Sequence, residues 1–288
     1  MATPNVSFEF FPPKSLEASF RLWDTIQTLA PLAPRFVSVT YGAGGTTRTL
    51  TREAVGALHQ ATGLNVAAHL TCVDATRDET MAIADEFHAA GVREIVALRG
   101  DAPKGSGGFR AHQDGFADSC ELITALAERG DFTIRVGAYP EPHPEAADAD
   151  ADVTWLKRKI DAGASEAITQ FFFEAETFLR FRDKCAAAGI DAPILPGILP
   201  IENWTAARKF AKGCGANVPA WLDDAFAKAI RDDRHDLLAT SIATELCSTL
   251  IDEGVSDLHF YTLNRPDLTR DICHALGVQP KIALRHVA

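Results

Sequence analysis

Short apolar, β-branched runs recur along the chain, separated by longer stretches of helical periodicity. The runs are "VSFEF" from residue 6, "FVSVTYG" from 36, "NVAAHLTC" from 65 and "EIVALRG" from 94. Four more are "TIRVGAY" from 133, "EAITQFFF" from 166, "APILPGIL" from 192 and "DLHFYTLN" from 257. In the first, Val6, Phe8 and Phe10 alternate with Ser7 and Glu9 until two prolines stop the run, the signature of a strand with two unlike faces. Between the runs lie helical segments such as "TREAVGALHQATG", "RDETMAIADEFHAAG" and "ETFLRFRDKCAAAG". Each closes on glycine, the usual residue just past a helix end. The stretch from 201 to 256 is longer and predicts an extra helix, with Pro219 marking a break.

Eight strands alternating with helices imply parallel pairing, and eight is the number that closes a (β/α)8 TIM barrel. An open doubly wound sheet is the competing α/β arrangement. It would normally carry a glycine-rich nucleotide loop after its first strand, where this chain has "FFPPK". No composition shift, low-complexity stretch or repeat divides residues 1–288, so one catalytic domain is expected.

Composition narrows the partners. The net charge of −11 argues against nucleic acid or an anionic membrane surface, though a local basic cluster could still bind a phosphorylated cofactor. The six cysteines lie far apart with no CxxC pair, which points to a reduced cytoplasmic setting rather than to disulfides or zinc. No run of 18 apolar residues occurs, and the start "MATPNVSFEFF" does not read as an export signal.

Active sites of this fold gather at the C-terminal ends of the strands. Polar residues collect there: Glu9, Thr40 and Tyr41, His69, then Arg99, Gly100 and Asp101. Tyr139 and His143, Gln170, and Tyr261, Asn264 and Arg265 continue the set. One polar strand end merely meets solvent, but a barrel aims seven at one mouth. Glu9 is the candidate general acid. Aromatic surroundings should desolvate its carboxyl and raise its pKa toward working pH, while Asp101, near Arg99 in a glycine-bearing turn, should stay ionised. The same two carboxylates could equally serve glycoside hydrolysis.

The segment "GDAPKGSGGF", 100 to 109, is not a Walker loop and is expected to act as a lid. In "DVTWLKRK" the helical period places Asp152, Trp155 and Lys159 on one face with Arg158 beside them. That face is either a solvated charged surface or a diphosphate clamp with an aromatic platform. His69 and Cys72 point to opposite faces of a strand, which speaks against a shared metal.

The motifs "SFEFFPP", "VSVTYGAGG", "HLTC", "ALRGD", "AYPEPHPEA", "KRKIDAGA", "AITQFFF", "PGILP" and "HFYTLNR" occur in an order that resembles the catalytic domain of bacterial methylenetetrahydrofolate reductases. The likeness covers nearly the whole chain. It implies a flavoprotein (β/α)8 barrel that uses FAD to pass a hydride from NADH or NADPH to 5,10-methylenetetrahydrofolate. It also implies a homo-oligomer without the added S-adenosylmethionine-binding regulatory domain of eukaryotic relatives.

Carried over by position, Glu9 matches the general acid that opens the folate's five-membered ring, and Asp101 the aspartate near flavin and pterin. Gln170 matches a glutamine touching folate and nicotinamide in turn, and Thr40 a threonine touching NADH. Tyr41, Ala43, His69, Arg99, Gly100, Tyr139, His143, Asp152, Arg158 and Lys159 fall on FAD-contacting positions, as do Phe116, Ala117 and Trp155. Phe210 and Arg265 fall near the folate. Three positions depart from the pattern: Trp155 where asparagine is common, Phe116 where tyrosine is, and Ala206 in place of a folate-holding glutamine. The resemblance implies a ping-pong mechanism. A folate- or flavin-binding barrel without reductase activity is the alternative from outside enzymology.

Overall fold

The computed structural model describes residues 3–41, 48–101, 109–146, 148 and 150–281. All eight apolar runs form strands: β1 (Asn5–Phe10), β2 (Val37–Val39), β3 (Val66–Thr71), β4 (Glu94–Leu98), β5 (Thr133–Ala138), β6 (Glu166–Phe171), β7 (Ile194–Ile198) and β8 (Asp257–Tyr261). They close a parallel barrel in chain order, and Glu9 stands opposite Ser38 of β2 on one side and Tyr261 of β8 on the other. The (β/α)8 expectation therefore holds.

Around the barrel lie α1 (Leu16–Leu29), α2 (Arg48–Thr62), α3 (Arg77–Ala89), α4 (Ser119–Arg129), α5 (Ala151–Asp161) and α6 (Ala175–Ala187). The long stretch before β8 holds α7 (Trp204–Cys214), α8 (Ala220–Arg231) and α9 (His235–Asp252), and α10 (Pro266–Ala275) follows β8. The sequence predicted one extra helix there; two are added. Pro219 stands at the start of α8, where its fixed φ and missing N–H are tolerated. No helix among the described residues is long and apolar enough to cross a membrane.

Strand alternation sorts the side chains into two cores. Val6, Phe8 and Phe10 of β1 join Val37, Val39, Leu70 and Ile95 in the layer between barrel and helices. Inside the barrel, Phe36, Ala67, Val96, Ile168 and Leu195 form a smaller cluster. Arg135 plugs it, with its guanidinium 3.7 Å from the Phe36 ring centre. Bonds of 2.6 Å to Glu94 and 2.7 Å to Glu166 compensate the burial of that charge. Farther up, β6 and β7 slip out of simple register, and Gly197 lets Tyr261 donate to the Thr169 carbonyl at 2.6 Å. A Cβ on Gly197 would sit 2.2 Å from that carbonyl oxygen.

Candidate active site

Alternation also settles where Glu9 points. Its neighbours Phe8 and Phe10 pack outward beneath helices, so Glu9 faces the barrel interior, near the C-terminal mouth. There His69 of β3 brings Nε2 to 3.2 Å from Glu9 Oε2, and Ser38 donates to the same oxygen at 3.3 Å. His259 of β8, fully buried, places Nε2 at 3.9 Å. Its Nδ1 is 2.8 Å from the Ser7 hydroxyl, and its ring stacks on Phe36 at 5.6 Å. The Ser7 hydroxyl also reaches the Leu258 carbonyl at 3.3 Å.

These neighbours reverse one expectation. Burial pushes the Glu9 carboxyl up, as its aromatic surroundings led one to expect. The two facing imidazoles, His259 and His69, outweigh it and bring the carboxyl from 4.5 down to about 2. Burial keeps His259 below the ordinary imidazole range. Glu9 thus favours the carboxylate, facing two imidazole rings, and His259 is a site residue that the sequence reading passed over. The signal was its phase: Leu258 and Phe260 pack outward, which turns His259 inward on a strand beside β1.

A cavity of about 400 Å³ opens at the same mouth. Its inner end is formed by Tyr41, Thr71, Ala97, Leu98, Gly137 and Ala138. Arg99, Gly100 and Asp101 after β4, and Tyr139 and His143 after β5, make its walls. It runs outward to Ser119 of α4 and to Asp152, Trp155 and Lys159 of α5. Gly100 has φ of +87°, and a Cβ there would lie 2.6 Å from Val73 Cγ1, so only glycine turns the chain at this wall without strain. Asp152 accepts from the His143 N–H at 2.8 Å, and the His143 ring meets Tyr139 edge-on at 4.6 Å. Burial first, then the nearby Asp101 charge, pushes the Tyr139 phenol up to about 12.

Lys159 is the buried cation of this cavity. Its Nζ donates to the Gly137 carbonyl at 2.8 Å, and burial lowers its pKa to about 8. Arg99 pairs with Glu145 at 2.8 Å and lies 4.8 Å from the Phe109 ring centre. Thr71 Oγ1 is buried and has no hydrogen-bond partner among the described residues. A buried ammonium, an unpaired hydroxyl and a backbone kept free of Cβ at Gly100 form a donor set that fits a phosphorylated, aromatic cofactor such as a flavin dinucleotide.

Other sequence-predicted residues lie elsewhere. His69 belongs to the Glu9 cluster rather than the cavity wall. Thr40 is half-buried just past β2, and Gln170 of β6 accepts from the Phe171 N–H at 3.0 Å. Phe210 of α7 is 46% exposed and stacks on Phe171 at 5.3 Å. Arg265 stands at the start of α10, exposed. Phe116 is buried under the Arg77 guanidinium, 4.6 Å from its ring centre, and Ala117 is exposed; neither lines the cavity. Arg158 does not line it either. Ala43 and most of the 100–109 segment fall outside the described residues.

Fold and site together define a (β/α)8-barrel enzyme with a buried carboxylate–histidine cluster beside an elongated cofactor-sized cavity. The family model for methylenetetrahydrofolate reductase matches residues 1–277. The 5,10-methylenetetrahydrofolate reductase of Escherichia coli strain K12 is 50% identical over 278 residues, covering 96% of this chain and 92% of that one. That of Salmonella typhimurium is 49% identical over 277 residues, with the same coverage. An uncharacterized protein from Clostridium thermocellum, solved with two copies of 5-methyl-5,6,7,8-tetrahydrofolic acid, shares the fold at a TM-score of 0.61. It is 16% identical, over 96% of this chain and 95% of that one. The chain belongs to the methylenetetrahydrofolate reductase family, and is an oxidoreductase.

Proposed function

We propose that this chain catalyses the FAD-dependent reduction of 5,10-methylenetetrahydrofolate to 5-methyltetrahydrofolate, with NADH or NADPH as electron donor. The observation that carries this reading is the meeting, at one barrel mouth, of Glu9 with its two histidines and a cavity ending at the buried Lys159 ammonium. Bound flavin would supply the hydride chemistry, and the protein supplies orientation, electrostatics and a proton.

Lys159 and Arg99 offer positive charge to a diphosphate, and Thr71 offers a hydroxyl to the ring system. Asp101, exposed and lining the cavity, hydrogen-bonds a pterin lying over the mouth in this reading. Gln170 and Thr40 contact the planar substrates there, while Phe210 and Arg265 border the folate. Two planar substrates that use one mouth must take turns, which makes the order ping-pong.

Glu9 delivers the proton that opens the folate ring to an iminium. Because the two imidazoles favour the carboxylate, that proton enters Glu9 from the imidazole side, through His69 at 3.2 Å. A folate stacked over the mouth excludes water and adds to the desolvation that raises the carboxyl pKa. By family likeness the reading extends to a cytoplasmic homo-oligomer, which light scattering would size.

An absorption spectrum tests the whole reading. Purified protein should show flavin bands that NADH or NADPH bleaches without oxygen and methylenetetrahydrofolate restores. A colourless protein that takes up no added flavin would overturn it.

A further inference from the structure

A flavin dinucleotide has two flat ring systems, and the barrel mouth accounts for one. The cavity's far end, between α4 and α5, presents the Trp155 indole. The Arg158 guanidinium lies 4.2 Å from the centre of that ring, outside the cavity. Behind it, Arg158 Nη2 is 3.6 Å from Asp118 Oδ2. Asp118 is itself fixed, because its other carboxylate oxygen accepts the N–H groups of Cys120 and Glu121 at 2.7 and 3.1 Å as the cap of α4. The cap of one helix therefore tethers a guanidinium that braces an indole on the next.

The sequence left Arg158 either on a solvated charged face or in a diphosphate clamp. Its charge is turned toward Asp118 and the indole, whereas Lys159, one residue on, points its ammonium into the cavity. The remaining job at the far end is to meet a ring. An indole is a flat apolar surface that stacks on any base, and a cation on an aromatic face stiffens and polarises it. Asparagine, common at this position in the family, offers hydrogen bonds and no stacking surface.

We propose that the Trp155–Arg158 stack is the platform for the adenine ring, so that this chain holds the adenosine end of its cofactor by stacking. The proposal rests on the reading of the cavity as an FAD site, with the flavin ring at the mouth and the diphosphate at Lys159.

The test compares FAD with FMN, which has the same flavin ring but lacks the adenosine. Each is titrated into the full-length chain freed of flavin, followed by flavin and tryptophan fluorescence. Trp155→Ala should weaken FAD binding by about ten- to a hundredfold, the range expected for losing one base–aromatic stack, and leave FMN binding unchanged. Trp155→Phe should keep most of the FAD affinity, and Arg158→Gln should lose a few-fold, again for FAD alone. FAD should also quench wild-type tryptophan emission more than FMN does, and Trp155→Phe should abolish that difference. Equal weakening of FAD and FMN, or unaltered FAD binding in Trp155→Ala, would overturn the platform while leaving the flavin site intact. Wild-type protein that binds neither flavin overturns the cofactor reading itself, and the platform with it.

Discussion

His69 Nε2 stands 3.2 Å from Glu9 Oε2, with both side chains largely shut off from water. Strands β1 and β3 are not neighbours in the barrel, so this contact crosses its interior rather than following a hydrogen-bonded pair. It makes the ionisation of Glu9 a property of the folded barrel, with measurable consequences for stability as well as for catalysis.

The carboxyl sits at about 2 in the folded chain against 4.5 when unperturbed, so its contribution to stability is present above 4.5. That contribution is lost as pH falls from 4.5 through about 2. Glu9→Gln should therefore flatten the acid limb of the stability curve. Denaturant midpoints across that window read the effect, and a wild-type slope retained in the variant would contradict it.

The same variant separates the two half-reactions. Glu9→Gln should keep NADH-driven flavin reduction near the wild-type rate and slow folate reduction by about 10²- to 10⁴-fold, the usual worth of a positioned general acid. Stopped-flow absorbance of the flavin follows each half separately. Survival of both at normal rates removes Glu9 from the acid's role.

Lys159 predicts a pH dependence of the opposite sense. Burial holds its ammonium at about 8 in the free chain, and a bound diphosphate favours the charged form. FAD affinity should then be constant below pH 8 and decline as pH rises through it. Lys159→Gln should bind more weakly at pH 7 and show no such decline. Equilibrium titration at several pH values checks both, and a decline that persists in the variant assigns it to another group.

Gly197→Ala tests the crowded seam between β6, β7 and β8. The new methyl group would meet the Thr169 carbonyl at 2.2 Å and the Tyr261 ring at 2.6 Å, contacts that only backbone movement can relieve. A loss of about 1–3 kcal/mol or more is expected from such overpacking. Because Gln170 follows Thr169 directly, folate turnover should fall along with the unfolding midpoint. A midpoint unchanged from wild type would show that the seam yields.

Much of the barrel was legible along the chain because a strand is a local object. Two-residue alternation in "VSFEFF", apolar runs at eight places and glycines after the helices each report on a few consecutive residues. Those signals located every strand and turned Glu9 away from its phenylalanines. They also ordered the polar strand ends, because a parallel barrel has one mouth. The stretch from 201 to 256 was harder, since three consecutive helices carry the same period as one long helical region with a break at Pro219.

What the sequence determined by itself was thus the strand count and the barrel, since periodicity and turn chemistry act over a turn or two of chain. Only the tertiary structure decided that two imidazoles hold the Glu9 carboxyl below its ordinary range, that His259 is one of them, and that Arg158 lies over the Trp155 indole beside Asp118. The reason is physical. A carboxyl's pKa and a guanidinium's partner depend on groups within a few ångströms, and here those groups come from β1, β3, β8, α5 and the cap of α4, which meet only when the barrel closes.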